Sequence, residues 1–345
     1  MKILVRATNW VGDAVMSLPA LEAIRQREPH AHIAVLARPW VAELYRDQGF
    51  ADQLIVFDHA GRHAGFAGIE RLAEELRREK FDVALLLQNA FQAAWIVWRA
   101  GIRQRIGYAR DRRSWLLTQA VPPPQPGEIP SQEPYYYLEM LRRAGWLEQL
   151  PMLSAITLRV PEGARQLAEA SLLAAGARQG SRRVAMAPGA AFGAARRWPV
   201  ERYAALADRA MAEMDADVIL LGSAADRDTA QRIALSMRGK PVVLAGHTAI
   251  GEMPALLRAC HAFVGNDSGS MHVAAATGVA TIGVFGPTDP QATAPLSHRF
   301  TIVREPVECS PCFLRECPVD HRCMTRISVD RVFDALRASL LGYGR

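Results

Sequence analysis

Short runs rich in aliphatic and β-branched residues alternate along the chain with longer stretches whose apolar positions recur at helical spacing. In the first half the runs Lys2–Ala7, His32–Ala37, Gln53–Phe57 and Asp82–Leu87 predict strands. Between them, Ala14–Arg27 and Phe66–Glu79 predict helices. Val121–Gly127, with four prolines, predicts a stiff loop. The rhythm breaks around Trp146–Pro161 and then restarts. Strands are expected at Arg183–Ala187, Asp217–Leu221, Pro241–Leu244, Ala262–Gly265 and Ala280–Phe285. Pro199–Glu213, Ala225–Met237, Met253–Cys260 and Gly269–Thr277 carry helical patterns between them. This alternation predicts an α/β fold of two Rossmann-like, doubly wound parallel-sheet domains facing a central cleft. The expected divisions are 1–155, 156–327 and a C-terminal helix, 328–345, packing back on the N-terminal domain.

Composition changes this picture little. A chain of 345 residues that is 50% hydrophobic and 22% charged can bury two cores. Arg6 cuts the first apolar run, so no signal-peptide core fits there. The most apolar long stretch, Phe81–Trp98, contains Asp82, Gln88, Asn89 and Gln92, which disfavours a membrane span. A cytoplasmic protein is expected. The net charge of +6 is unevenly spread: Arg99, Arg103, Arg105, Arg110, Arg112 and Arg113 share one short segment with only Asp111 against them. Trp95, Trp98 and Trp115 flank that segment. It suits an anionic partner, whether nucleic acid, acidic lipid or phosphorylated glycan, and equally a solvated loop.

Ligands of doubly wound sheets bind beyond the carboxyl ends of the strands, so chemistry is expected in the loops there. The loop after the first strand, Thr8–Val15, has only Gly12 where a dinucleotide fold carries G-x-G-x-x-G. The second strand ends in Arg38 rather than in an acidic residue, which further disfavours NAD. Asp13 in this loop is either a first-turn acid favoured by the helix dipole or a general base. The second loop, Ala187–Pro199, combines glycines with Arg196 and Arg197 directly before a helix start and suits a diphosphate. The third, Val264–His272, offers Asp267, Ser268 and Gly269 at another helix start, with free amides beside them and His272 in the first turn.

These loops resemble those of the bacterial lipopolysaccharide heptosyltransferases, GT-B glycosyltransferases of family 9, and the type II branch more than type I. The resemblance is carried by Asn9-Trp10-Val11-Gly12-Asp13 through Pro19, by Pro188-Gly189 through Arg197-Trp198-Pro199, and by Asn266-Asp267-Ser268-Gly269 through His272. It extends from Met1 to about Val332. It implies inverting transfer of L-glycero-D-manno-heptose from ADP-heptose to the first heptose of the Kdo2-lipid A inner core. The N-terminal domain would then bind the acceptor and the C-terminal domain the nucleotide sugar, with ADP-heptose a substrate and no cofactor tightly bound. By the same resemblance Asp13 is the base, Asp267 contacts the donor sugar, and Ser268, Gly269 and His272 surround the diphosphate. Arg196 stands where relatives usually carry lysine, and Arg197 follows it; Asp226 matches the acidic residue on the ribose. Peripheral contact with the cytoplasmic face of the inner membrane is expected through the arginine–tryptophan segment, with Arg110, Arg112 and Arg113 on the acceptor or anionic surface. No nucleic acid partner is implied. The alternatives are a type I or III acceptor, a nucleotide-sugar epimerase and a nucleic-acid-binding module.

The resemblance also takes in Cys309, Cys312, Cys317 and Cys323, with His321 among them. Four closely spaced thiols can hold zinc, although the spacing is irregular for a knuckle motif. The other reading is a reduced, partly buried loop.

Overall fold

The computed structural model describes residues 1–341. It separates into two compact units, Met1–Met152 and Leu153 onward. The division falls within the stretch where the rhythm breaks, three residues before the expected boundary.

The first unit is a six-stranded parallel sheet made of β1 (Lys2–Arg6), β2 (His32–Ala37), β3 (Gln53–Val56), β4 (Val83–Leu86), β5 (Gln104–Tyr108) and β6 (Gln119–Val121). Its spatial order is β3-β2-β1-β4-β5-β6. The second sheet comprises β7 (Arg182–Ala187), β8 (Ala216–Leu220), β9 (Val242–Val243), β10 (Ala262–Asn266), β11 (Ala280–Phe285) and β12 (Phe300–Arg304). Its order, β9-β8-β7-β10-β11-β12, repeats the first. Both are the doubly wound order in which the winding reverses beside the first strand. The inner strands are covered on both faces, as in Ile3, Leu4 and Val5 or Val184, Ala185 and Met186, all without exposed surface. Loops after β1, β7 and β10 therefore lie at the reversal points, and these are the three loops that carry the sequence signals.

Two expectations are corrected. The helix expected over Ala14–Arg27 is two, Val11–Met16 and Leu18–Arg27, interrupted at Ser17 just before Pro19. Pro19 falls in the opening turn of the second helix, where its missing N–H costs nothing. Strands β5, β6 and β12 were not predicted. β5 reads Gln-Arg-Ile-Gly-Tyr and runs through the arginine-rich segment. The helix Val329–Leu341 buries Val332, Phe333 and Leu336 in the second unit's core. Positions 342–345 of that expected element lie outside the described residues.

Candidate active site

β7 and β10 are neighbours, with Ala187 in register with Gly265, so the loops that follow them emerge side by side. Asn266, fully buried at the end of β10, ties the two together. Its Nδ2 donates to the Pro188 carbonyl at 2.7 Å, and its Oδ1 accepts from the Trp198 N–H and the Tyr203 hydroxyl, both at 3.0 Å. An amide can donate and accept at once, which neither Asp nor Leu could do here. Trp198 closes the arrangement from below, buried and donating through Nε1 to the Ile327 carbonyl at 3.0 Å.

Within this frame Arg196 Nη1 meets Asp267 Oδ2 at 3.1 Å, the carboxylate being only 3% exposed. The guanidinium rests on the Phe192 ring, Cζ 4.2 Å from its centroid. Even so, Arg196 Nε, Asp267 Oδ2 and Thr288 Oγ1 are buried without a well-formed hydrogen bond. Buried polar atoms are seldom left so, and unsatisfied atoms clustered at strand ends indicate groups waiting for a ligand. Ser268 precedes the helix Gly269–Ala276 but makes no side-chain cap; its hydroxyl pairs with that of Ser270 at 2.8 Å. The Gly269 and Ser270 amides thus keep their donor capacity, while the Met271 amide donates to the Ser268 carbonyl at 3.1 Å. His272, 4% exposed in the same turn, is pulled down to about 4 by burial, a fall that the Arg196 charge reinforces and the Asp267 charge opposes. It is a neutral imidazole at pH 7, able to donate a hydrogen bond but not a charge.

Asp226 joins this group from the turn after β8. Its Oδ2 accepts from the Ser223 N–H at 2.9 Å and from the Ser223 hydroxyl at 2.7 Å. A Cβ on Gly189 would fall 2.2 Å from Asp226 Oδ1, so only glycine lets the two loops approach this closely. Arg197, by contrast, is exposed.

In the first unit, Asp13 lies in the first turn of the helix Val11–Met16 and is half-buried. The loop before it is braced: Arg6 Nη2 donates to Asn9 Oδ1 at 2.7 Å and Trp40 Nε1 to the Asn9 carbonyl at 2.8 Å. Burial and the Arg38 charge bring the fully buried Arg6 down to about 9. Asp13 also acts on its surroundings. Glu133, at the start of the helix Glu133–Arg143, is pushed up to about 7 by burial and by the Asp13 charge, against the pull of Arg110. Two carboxylates thus share one locality, and one of them titrates near neutrality. The folded-state value lies above the unfolded one, so the fold binds the extra proton between about pH 4.5 and 7. Stability should therefore fall as pH rises through that window, by up to about 3 kcal/mol. Glu133→Gln should flatten this slope in urea titrations at pH 5, 6, 7 and 8. An unchanged slope would contradict the assignment.

The model of glycosyltransferase family 9 (heptosyltransferase) matches residues 69–322. The chain belongs to this family. It is 34% identical to lipopolysaccharide heptosyltransferase 2 of Salmonella typhimurium over 314 residues, covering 88% of each chain. It is similar to the solved structure of the Escherichia coli ADP-heptose heptosyltransferase II, with a TM-score of 0.84 and 30% identity over the full length of both chains. An E. coli heptosyltransferase solved with ADP shares the fold, with a TM-score of 0.74 at 18% identity over 98% of this chain and all of the other. Family membership makes this family 9 chain a glycosyltransferase and leaves the epimerase reading without favour.

The arginine segment of this family 9 chain is not one surface. Arg113, expected at the acceptor or anionic face, is fully buried. It donates to the carbonyls of Tyr108 (3.1 Å) and Gln88 and to Asn89 Oδ1 (2.8 Å), holding the ends of β4 and β5 together. Arg105 likewise spends its guanidinium on the Leu116 carbonyl at 2.7 Å, and Arg99 on Glu70 at 2.5 Å. Arg110 reaches toward the Tyr136 hydroxyl at 3.5 Å, while Arg103 and Arg112 are exposed. The flanking tryptophans do form a surface. Phe91, Trp95, Trp98 and Trp115 make a chain of ring contacts with centroids 5.1–6.2 Å apart, and Trp115 is 64% exposed. Phe91 and Trp95 also line a cavity of about 500 Å³ with Arg38, His59, His63 and Phe66.

The cysteine loop forms a strap against the loops that follow β7 and β11. Cys312 and Phe313 donate their N–H groups to the Pro287 carbonyl at 3.0 and 2.8 Å, and Ala195 donates to the Arg315 carbonyl at 2.9 Å. His321 Nε2 is engaged by the Ala195 carbonyl at 2.6 Å. Cys309, Cys312 and Cys317 are exposed, whereas Cys323 is buried. Burial, with the other three thiols nearby, pushes Cys323 up to about 11. Among the described residues no group of three or more His, Cys, Asp or Glu is arranged to hold a metal ion. Glu133 and Thr288, and the tying roles of Asn266 and of this strap, escaped the sequence reading. Of these, only Asn266 had a local signal, as a polar residue ending an apolar strand before a helix start.

Proposed function

We propose that the chain is a type II lipopolysaccharide heptosyltransferase, transferring L-glycero-D-manno-heptose with inversion from ADP-heptose to the first heptose of heptosyl-Kdo2-lipid A. The observation that carries this reading is the Asn266-tied pair of loops, with Arg196, Asp267 and Thr288 holding unsatisfied atoms together. The names of the Salmonella relative and of the E. coli ADP-heptose heptosyltransferase II support this reading of donor and acceptor class.

The residues divide the chemistry as follows. Asp13 removes the proton from the attacking acceptor hydroxyl. The hydroxyl oxygen bonds to the anomeric carbon while the bond from that carbon to the β-phosphate oxygen breaks. Negative charge then grows on the departing ADP, where Arg196, the Ser268–Ser270 amides and the neutral His272 can hydrogen-bond to it. Asp267 orients the sugar, and Asp226 holds the ribose beside Gly189. No tightly bound cofactor enters the proposal. Turnover of ADP-heptose should exceed that of UDP- and GDP-sugars by at least about 100-fold; equal use of UDP-sugars would overturn the donor assignment.

No helix among the described residues is long and apolar enough to cross a membrane. The proposed acceptor is a lipid, and the Phe91–Trp115 aromatic cluster with exposed Arg103 and Arg112 suits the headgroup region of an anionic bilayer. We therefore place the enzyme in the cytoplasm, in peripheral contact with the inner membrane. Replacing Trp98 and Trp115 by Ser should reduce sedimentation with phosphatidylglycerol vesicles about tenfold; unchanged sedimentation would refute this face.

A further inference from the structure

Arg196 cannot by itself answer the charge of a diphosphate, because Asp267 neutralises it at 3.1 Å. A sugar diphosphate donor carries about two negative charges and its leaving group a third, so the proposed chemistry calls for another cation that gains contact as the bond breaks. The strap supplies a candidate. Arg315 Cζ lies 5.0 Å from the centroid of Phe192, the ring on which Arg196 also rests at 4.2 Å. The two guanidinium groups thus share a single aromatic support. Arg315 is exposed, and among the described residues no carboxylate pairs with it. Its backbone is fixed independently of its side chain: its carbonyl accepts from the Ala195 N–H at 2.9 Å, one residue before Arg196. The fit is close on the other side too, since a Cβ on Gly193 would fall 2.3 Å from the Arg315 carbonyl oxygen. His321, bonded to the Ala195 carbonyl, pins the far end of the strap to the same turn.

We propose that Arg315 is a second guanidinium for the terminal phosphate of the donor, delivered to the site by the cysteine-rich strap. The inference rests on the nucleotide-diphosphate reading and adds a residue outside the three strand-end loops. The strap places an exposed cation, with no carboxylate partner among the described residues, next to one compensated by Asp267. Arg196 then orients the diphosphate in the ground state, and Arg315 strengthens its contact as charge accumulates on the leaving oxygen.

The test compares the wild type with Arg315→Ala and Arg315→Lys, measuring ADP and AMP binding by calorimetry and transfer kinetics with ADP-heptose. Because the strap's bond to Ala195 uses the backbone, side-chain truncation leaves that anchor in place. Arg315→Ala should weaken ADP about tenfold or more while leaving AMP within about twofold, and kcat should fall further than KM rises. Arg315→Lys should recover part of the ADP affinity. Unchanged ADP affinity in Arg315→Ala would overturn the proposal, as would equal losses for ADP and AMP, the signature of a displaced loop. A wild-type protein that binds neither nucleotide would instead sink the donor reading on which this inference depends.

Discussion

Asp13→Asn is expected to slow heptose transfer by about 10²–10⁴-fold while ADP binding stays within about twofold of wild type. The substitution keeps the shape of the side chain and its place in the first turn of the helix Val11–Met16, and removes only the ability to take a proton. Donor binding is assigned to residues of the second unit, so nucleotide affinity serves as an internal control on folding. A further consequence follows from the neighbouring carboxylate. The Asp13 charge is part of what pushes Glu133 up to about 7, so Glu133 should titrate lower in the variant. Its pH-dependent stability loss should then shift toward more acidic pH. Near-wild-type transfer by Asp13→Asn would remove Asp13 from the chemistry, leaving the alternative of a first-turn acid favoured by the helix dipole.

Arg196→Ala should produce the second large effect, and on two observables. Asp267 is 3% exposed, and its charge is compensated by Arg196. Removing one partner of a buried ion pair leaves an uncompensated charge, at a cost of about 3–5 kcal/mol in stability. Donor kcat/KM should fall by about 10²–10³-fold, because the same guanidinium orients the diphosphate. The double variant Arg196→Ala with Asp267→Ala separates the two roles: it should regain most of the lost stability and none of the activity. Arg196→Lys, which restores the residue usual in relatives, should keep the charge but lose the planar contact with Phe192. It should fall between the wild type and Arg196→Ala in activity. Full activity in Arg196→Ala, measured on folded protein, would contradict the diphosphate assignment.

The inner strands were legible because strands covered on both faces need near-continuous apolar runs, as in His32–Ala37 and Ala280–Phe285, both found where expected. The outer strands were not. β5 carries Gln104 and Arg105 because Arg105 turns its guanidinium to backbone carbonyls, and β6 is only three residues long. Arg113 misled for a related reason. Six arginines in one segment read as a single charged surface, yet burial of Arg113 is decided by the carbonyls of Tyr108 and Gln88, which no local pattern reveals. The loops after β7 and β10 were legible as neighbours, since glycines, arginines and helix starts at adjacent strand ends are local signals. Glu133 was not, because its relation to Asp13 spans 120 positions and exists only once the helices carrying them pack. The strap was read as a metal question because cysteine spacing is conspicuous, while its bonds to Ala195 and Pro287 are made by backbone atoms and by His321.

The central claim is tested most directly by offering ADP-heptose with two purified acceptors, Kdo2-lipid A bearing no heptose and the same molecule bearing one, and resolving the products by mass. The account predicts addition of one heptose to the monoheptosylated acceptor, with no comparable addition to the heptose-free one. Equal or faster transfer to the heptose-free acceptor would contradict the type II assignment, and no transfer to either would contradict the proposed reaction.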